Sequence, residues 1–331
     1  MEGSDVKLRF GLGEHDARGL VWGYRLHCCE SVSLRQNAEA SPEGPVWLHF
    51  NLADGRARTW ISEQSELPPA AVSALLDPLR RVRMNLLDEG VAGIVEDLHH
   101  DFHGDPEGFG ELRFYVDERR VISGRRHPLK TVDGLHRALE QGVPIASTAR
   151  WLELLVAGMT QNFAEAVQDL VEQVDEIEDD VVAGENQDGR ARLAGIRRLL
   201  VRFRRHVHAN RAAFGKLRLR APQGREQVSD LRQSLEQMDG VSQDLDLVHE
   251  RVRVLQEEVA NLLAEATNRN LYLLSIVTTV LLPATLVTGI WGMNVGGLPW
   301  MDSPHGFLWT ALGVVCSILV SLALLRGSRV L

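Results

Sequence analysis

Two long stretches without a formal charge follow one another near the end of this sequence, and they constrain its fold more than any other feature. Leu271 to Ile290 runs for 20 residues and Phe307 to Leu325 for 19. At about 1.5 Å per residue the first spans about 30 Å as a helix, the thickness of a hydrocarbon core. The buried helix of a soluble protein is the competing reading of one such run. Two in succession point to membrane spans. Between Leu271 and Leu325 the sole formal charge is Asp302, whereas residues 1–269 are charged throughout. The chain is written for two solvents. Arg269 precedes the first run, Arg326 and Arg329 follow the second, and Trp291 to His305 carries no base. The distribution of basic residues predicts a multi-pass membrane protein with both termini in the cytoplasm. Trp291, Trp300 and Trp309 then fall where interfacial aromatics sit.

Charge and cysteine usage narrow the function. A net charge of −9 argues against nucleic acid as a partner, because phosphate contacts need a surplus of Lys and Arg, and it suits cations. Cys28 and Cys29 are adjacent and Cys316 lies in an apolar run, so all three read as free thiols. The first residues lack the basic and apolar regions of a cleavable leader, which places the soluble part in the cytoplasm. No phosphate loop, nucleophile elbow or His-Glu-x-x-His pair is present, so no enzyme is indicated.

Residues 1–145 mix strand-like runs, Gly19 to His27, Val46 to Leu52 and Glu111 to Val121, with helical stretches around Ala70 to Asp88 and Thr131 to Gln141. This predicts an α/β domain. Residues 146–228 read as a helical hairpin. Glu165 to Asp188 holds ten acids and no base, Arg190 to Arg220 eleven bases and no acid, and Gly184 to Gly189 separates them. Opposite charges facing each other satisfy this pattern, and so does a mobile arm whose acids respond to cations. Residues 229–290 form a stalk helix that continues into the first span, 291–305 a periplasmic loop, 306–326 the second span and 327–331 a tail.

Along the stalk, Leu245, Val248, Val252, Leu255, Val259, Leu262 and Ala266 make a heptad seam. Glu250, Glu257 and Asn261 lie opposite it with Ala264 and Asn268, either as a solvated face or as oxygens that replace part of a cation's hydration shell. In the first span Ser275, Thr278, Leu282, Thr285 and Gly289 share one small, partly polar face, which fits helix packing and pore lining alike. Two spans per chain cannot enclose a channel, so a pore requires an oligomer. His99, His100 and His103, with Asp101, are ligand-like residue types beside a turn-rich loop, either a zinc site or exposed surface. His206 and His208, at i and i+2 on a helix, read as structural.

Gly292-Met293-Asn294 directly after an uncharged helix, with a second span following, resembles the CorA family of metal ion transporters. The likeness extends to the layout of α/β head, acidic and basic hairpin, stalk and two spans. The continuation Val295-Gly296-Gly297-Leu298-Pro299-Trp300 looks more like the ZntB zinc-transport branch than the magnesium branch. The resemblance implies a funnel-shaped homopentamer in the lipid bilayer with no cofactor, whose first spans line a central pore. It places Asn294 at the ion entry, holding a divalent cation through its hydration shell, and Asn268, Leu271, Leu274, Thr278, Leu282 and Thr285 along the pore. Gly292 would permit the tight turn that ends the helix, and Met293 would pack. The cargo implied is zinc, coupled to protons. A magnesium, cobalt or nickel channel, a membrane-anchored scaffold and a hydrolase built on His99 to His103 are the alternatives.

Overall fold

A computed structural model describes residues 19–32, 34, 44–63, 65–79, 81–101, 108–183, 189–220, 231–293 and 304–327. These form two compact units, residues 1–255 and 256–331. The first is built on a six-stranded sheet: β1 (Leu20–Arg25), β2 (Val46–Asn51), β3 (Arg83–Leu86), β4 (Gly90–Leu98), β5 (Phe109–Asp117) and β6 (Arg120–Arg125). Its spatial order is β1-β2-β6-β5-β4-β3, antiparallel except where β2 runs parallel to β6.

Alternation along the strands divides the core into two layers. Leu48 and Phe50 of β2, Tyr115 of β5 and Ile122 of β6 pack with Trp60, Ile61, Ala71 and Leu75, so α1 (Gly55–Glu63) and α2 (Pro69–Leu76) cover one face. Trp47 and Phe114 turn the other way and meet the edge of Trp151, at 5.5 and 5.9 Å between ring centroids. Trp151 belongs to α4 (Thr148–Ala183), which with α3 (Lys130–Glu140) covers the second face. A buried cation fastens α2: Arg113, its side chain 4 % exposed, pairs with Glu111 at 2.9 Å and donates to the Leu75 carbonyl at 3.3 Å and to that of Asp77. A guanidinium at a helix C-terminus meets the negative end of the helix dipole while satisfying orphan carbonyls.

The α/β class agrees with the sequence reading, and two details correct it. Ala70 to Asp88 is not helical throughout, since α2 stops at Leu76 and β3 follows. Pro78 is the reason, because a proline disfavours the helical region for the residue before it. Glu111 to Val121 holds parts of two strands, with Glu118 and Arg119 at the turn. The apolar run of β4, buried on both faces, and the helix α1 went unread.

Helices α4 and α5 (Gly189–Arg220) form the hairpin. Arg192 bridges Glu176 at 3.1 Å and Asp180 at 2.8 Å across its closed end. Much of the remaining charge is matched to the next helix, α6 (Leu231–Trp291), rather than within the hairpin. Arg204 pairs with Asp246 at 2.6 Å, Arg211 with Asp239, and Arg251 with Asp175 and Glu178. Neutralisation is three-way, with α6 contributing both signs. Leu245, Val248, Val252, Leu255 and Val259 of the seam are buried, whereas Leu262 is 40 % exposed and Ala266 is exposed too.

In the second unit α6 continues through Pro283, and α7 (Gly306–Gly327) follows. Both helices are long and apolar enough to cross a membrane.

Candidate functional site

The candidate pore face belongs to α6. Its covered positions between residues 271 and 291 are Ile276, Val280, Pro283, Ala284, Val287, Ile290 and Trp291, a stripe at 3 and 4 residue steps. On α7 the covered positions include Thr310, Gly313, Ser317 and Ser321, all small. A Cβ added at Gly313 would stand 3.8 Å from Val287 Cγ1, so the two helices meet through this seam. Small residues let helix backbones approach closely in lipid. Packing between the two spans therefore uses the apolar stripe of α6 and the small stripe of α7.

Leu271, Leu274, Thr278, Leu282 and Thr285 lie on the far side of α6, about half a turn from the covered stripe at 3.6 residues per turn, and all are exposed in the single chain. The sequence left this face open between packing and pore lining, and within one chain it packs against nothing. Asn268, Asn261 and Glu257 are likewise exposed, and Glu250 is drawn to Arg253, which holds its carboxyl below the usual range.

Four threonine hydroxyls in this span share one arrangement. Thr278 Oγ1 donates to the Leu274 carbonyl at 2.7 Å and Thr285 Oγ1 to that of Leu281 at 2.8 Å, while Thr279 and Thr288 donate to Ser275 and Ala284 at 2.8 and 3.2 Å. Each hydrogen is spent on the helix's own backbone, a habit of Ser and Thr in apolar surroundings. What these side chains offer outward is oxygen lone pairs, the group a metal ion or the hydrogens of its water shell can use.

At the end of α6 the Gly292 amide donates to the Thr288 carbonyl at 2.9 Å, and a Cβ there would come within 3.0 Å of that oxygen. A side chain at Gly292 would therefore sit tightly against that oxygen, and the backbone there is not left-handed. Met293 is 48 % exposed, and Asn294 with the Val295 to Trp300 continuation lies outside the described residues.

The histidine group is dispersed. His100 Nδ1 lies 3.2 Å from Asp133, His99 tilts against His127 at 5.4 Å between rings, and His103 lies outside the described residues. Among the described residues no three His, Cys, Asp or Glu side chains could hold a metal ion. A zinc site or hydrolase centre on His99 and His100 has no support here, because each ring is directed to a different neighbour. His206 is pulled down to about 4 by burial, so it is neutral and its Nδ1–H donates to Glu96 on β4. Asn210 completes that contact, giving Nδ2–H to the Glu96 carbonyl at 2.6 Å and accepting the Glu96 amide at 3.1 Å. It caps the edge of β4 beyond the end of β3.

Residues 42–326 match the family model described as CorA-like Mg2+ transporter protein. The chain belongs to this family. It is 32 % identical over 307 residues to the divalent cation transporter CmaX of Pseudomonas aeruginosa, covering 89 % of this chain and 92 % of the relative. It is 27 % identical to the zinc transport protein ZntB of Yersinia enterocolitica, covering 92 % of each. Among solved structures, full-length CmaX superposes with a TM-score of 0.80 at 29 % identity over 96 % of this chain and all of that one. The complete CorA magnesium transporter from Methanocaldococcus jannaschii gives 0.67 at 17 % identity, over 90 % and 94 %, a likeness of fold. Family membership accords with the Gly292-Met293-Asn294 reading. The sequence reading singled out the ZntB branch, and the CmaX relative stands beside it at higher identity.

The sequence reading missed the division of labour around α6. Its signal was available in the second span, where Thr310, Gly313, Ser317 and Ser321 recur at 3 and 4 residue steps.

Proposed function

We propose that this chain carries divalent metal cations across a bilayer through a pore lined by the first spans of five copies, with zinc as cargo and a proton gradient as the driving partner. Metal cation transport rests on the family and on the relatives named for it. The pore reading is supported by one observation above the rest: the Thr278 and Thr285 face of α6 points away from the span it packs against. A second copy is the simplest occupant of its flanks, and a water-filled axis the simplest neighbour of its hydroxyls.

On this reading Asn294 receives the hydrated ion, and Thr285 and Thr278 pass it inward by accepting hydrogen bonds from its water. Leu282, Leu274 and Leu271 narrow the path between them, with Asn268, Asn261 and Glu257 beyond, and backbone dipoles at five helix C-termini favour cations at the mouth. Gly292 sets the close approach that ends each helix, and Met293 packs. The soluble unit and both termini lie in the cytoplasm of a bacterial cell, with the spans in its inner membrane.

Uptake into proteoliposomes decides the cargo. Zinc and magnesium are run in parallel, each with and without an inward proton gradient. Zinc flux that rises with the gradient is expected, and magnesium flux exceeding zinc flux would reassign the cargo. A scaffold without transport predicts no flux of either ion.

A further inference from the structure

The soluble unit holds a junction that ion transport does not use. Trp22, on the edge strand β1, is sandwiched between two imidazoles. His49 of β2 stacks on it at 4.3 Å and 19°, and His136 of α3 at 4.0 Å and 16°. The Arg125 guanidinium lies 5.1 Å from the same ring. Tyr24 meets His136 edge-on at 5.5 Å. On its buried side Ser123 Oγ accepts the Trp47 Nε1–H at 2.7 Å and lies 2.7 Å from His49 Nδ1. His49 Nε2 and Trp22 Nε1 are buried with no hydrogen-bond partner among the described residues. Among the described strands β1 pairs with β2 alone, so beyond that ladder this stack is one of the contacts that hold the strand.

The charges facing the two imidazoles come from β6 and α3. Arg125 of β6 is bound to Asp133 of α3 at 2.5 Å, and the same carboxylate receives His100 at 3.2 Å. His136 faces Glu140 at 3.7 Å and also feels Asp133, Arg125 and Arg137. His49 feels Arg125 and His136. Asp133 is thus already committed, and the second N–H of a protonated His49 would find no acceptor. A proton added here places a cation beside Arg125 on a fully buried ring.

We infer that the His49–Trp22–His136 sandwich is an acid-release latch: it holds β1 to the sheet while both imidazoles are neutral, and acid favours the open form in which they are hydrated and charged. Burial lowers both groups, His49 well below the ordinary histidine value, with Arg125 acting in the same direction. The sign follows from linkage. A base whose pKa is depressed in the closed form costs nothing above about pH 6.5, and its closed form loses ground as pH falls below that. One histidine held neutral makes the opening constant about 30-fold larger at pH 5.0 than at pH 7.5.

Hydrogen–deuterium exchange of the full-length protein in nanodiscs tests this at pH 7.5, 6.0 and 5.0, with rates corrected for intrinsic exchange. Peptides covering residues 19–32 should lose protection by about 30-fold at pH 5.0, while those of β4 and β5 stay protected. His136→Phe keeps a ring on Trp22 without a titrating nitrogen and should weaken the response, and adding His49→Phe should abolish it. Should the double variant fold poorly, C2–H exchange of the wild-type histidines reads the same quantity: His49 should remain neutral down to pH 5 while β1 is closed. Equal β1 protection at pH 5.0 and 7.5, an undiminished response in a folded double variant, or His49 titrating near 6.5 in the closed form overturns the inference.

Discussion

Replacing Thr285 by valine tests the pore face where its chemistry is most exposed. The two side chains have nearly the same shape, and the hydroxyl hydrogen already belongs to the Leu281 carbonyl at 2.8 Å, so the variant loses one helix bond and one outward-facing oxygen per chain. Around the proposed five-fold axis that removes a ring of acceptors. A hydrated ion that gives one or two hydrogen bonds to the ring loses about 1–3 kcal/mol of stabilisation, and its passage slows about 5- to 160-fold. Thr310→Val in α7 is the matched control. Its hydroxyl donates to Gly306 at 3.0 Å in the same manner but sits in the packed seam. Zinc entry into proteoliposomes, followed with an entrapped indicator, should drop for Thr285→Val and hold for Thr310→Val. Equal flux in wild type and Thr285→Val, or an equal loss in both variants, would refute the assignment of this face to the ion path.

Other outcomes concern the soluble unit. Asp97 is fully buried, accepts the Thr131 amide at 3.0 Å and its hydroxyl at 2.8 Å, and is raised to about 6 by burial against those bonds. The folded state therefore holds its proton more tightly, and stability from this group, about 3 kcal/mol, is lost as pH rises from about 4 to 6; Asp97→Asn should flatten that part of a denaturation-versus-pH curve. Asn210→Ala strands the Glu96 amide and carbonyl at the edge of β4 and should cost about 2–4 kcal/mol in chemical denaturation. Gly93→Ala would place a Cβ 2.3 Å from Met84 Sδ and 2.6 Å from Phe114 Cζ, and thermal melting should report about 1–3 kcal/mol of overpacking.

What could be read from the sequence was what repeats or is uniform. An unbroken absence of charge marks a span whatever it packs against, and Gly292-Met293-Asn294 fixed the family. The strand Val46-Trp47-Leu48-His49-Phe50 was legible through its aromatic and aliphatic residues, although it is buried on both faces. The run Gly90 to Leu98 was not, since it too is buried on both faces and so lacks a period of two, and its glycines and alanine carry no strand preference. The salt bridges between the hairpin and a third helix, Arg204 and Arg211 to Asp246 and Asp239 and Arg251 back to Asp175 and Glu178, were also out of reach, because charge blocks in sequence name signs and not partners. The junction around Trp22 joins β1, β2, β6 and α3 through residues more than a hundred positions apart, and no local pattern announces it.

On the proposed pore reading, the backbone-bound threonines of α6 have a consequence for the sign of what can pass. Chloride or hydroxide beside them would meet lone pairs and find no hydrogen to accept, whereas water around a metal ion turns its hydrogens outward. A lining of this kind rejects anions without any formal charge of its own. It escapes both the cost of holding an ionised side chain in lipid and the blunting that dissolved salt imposes on charged rings.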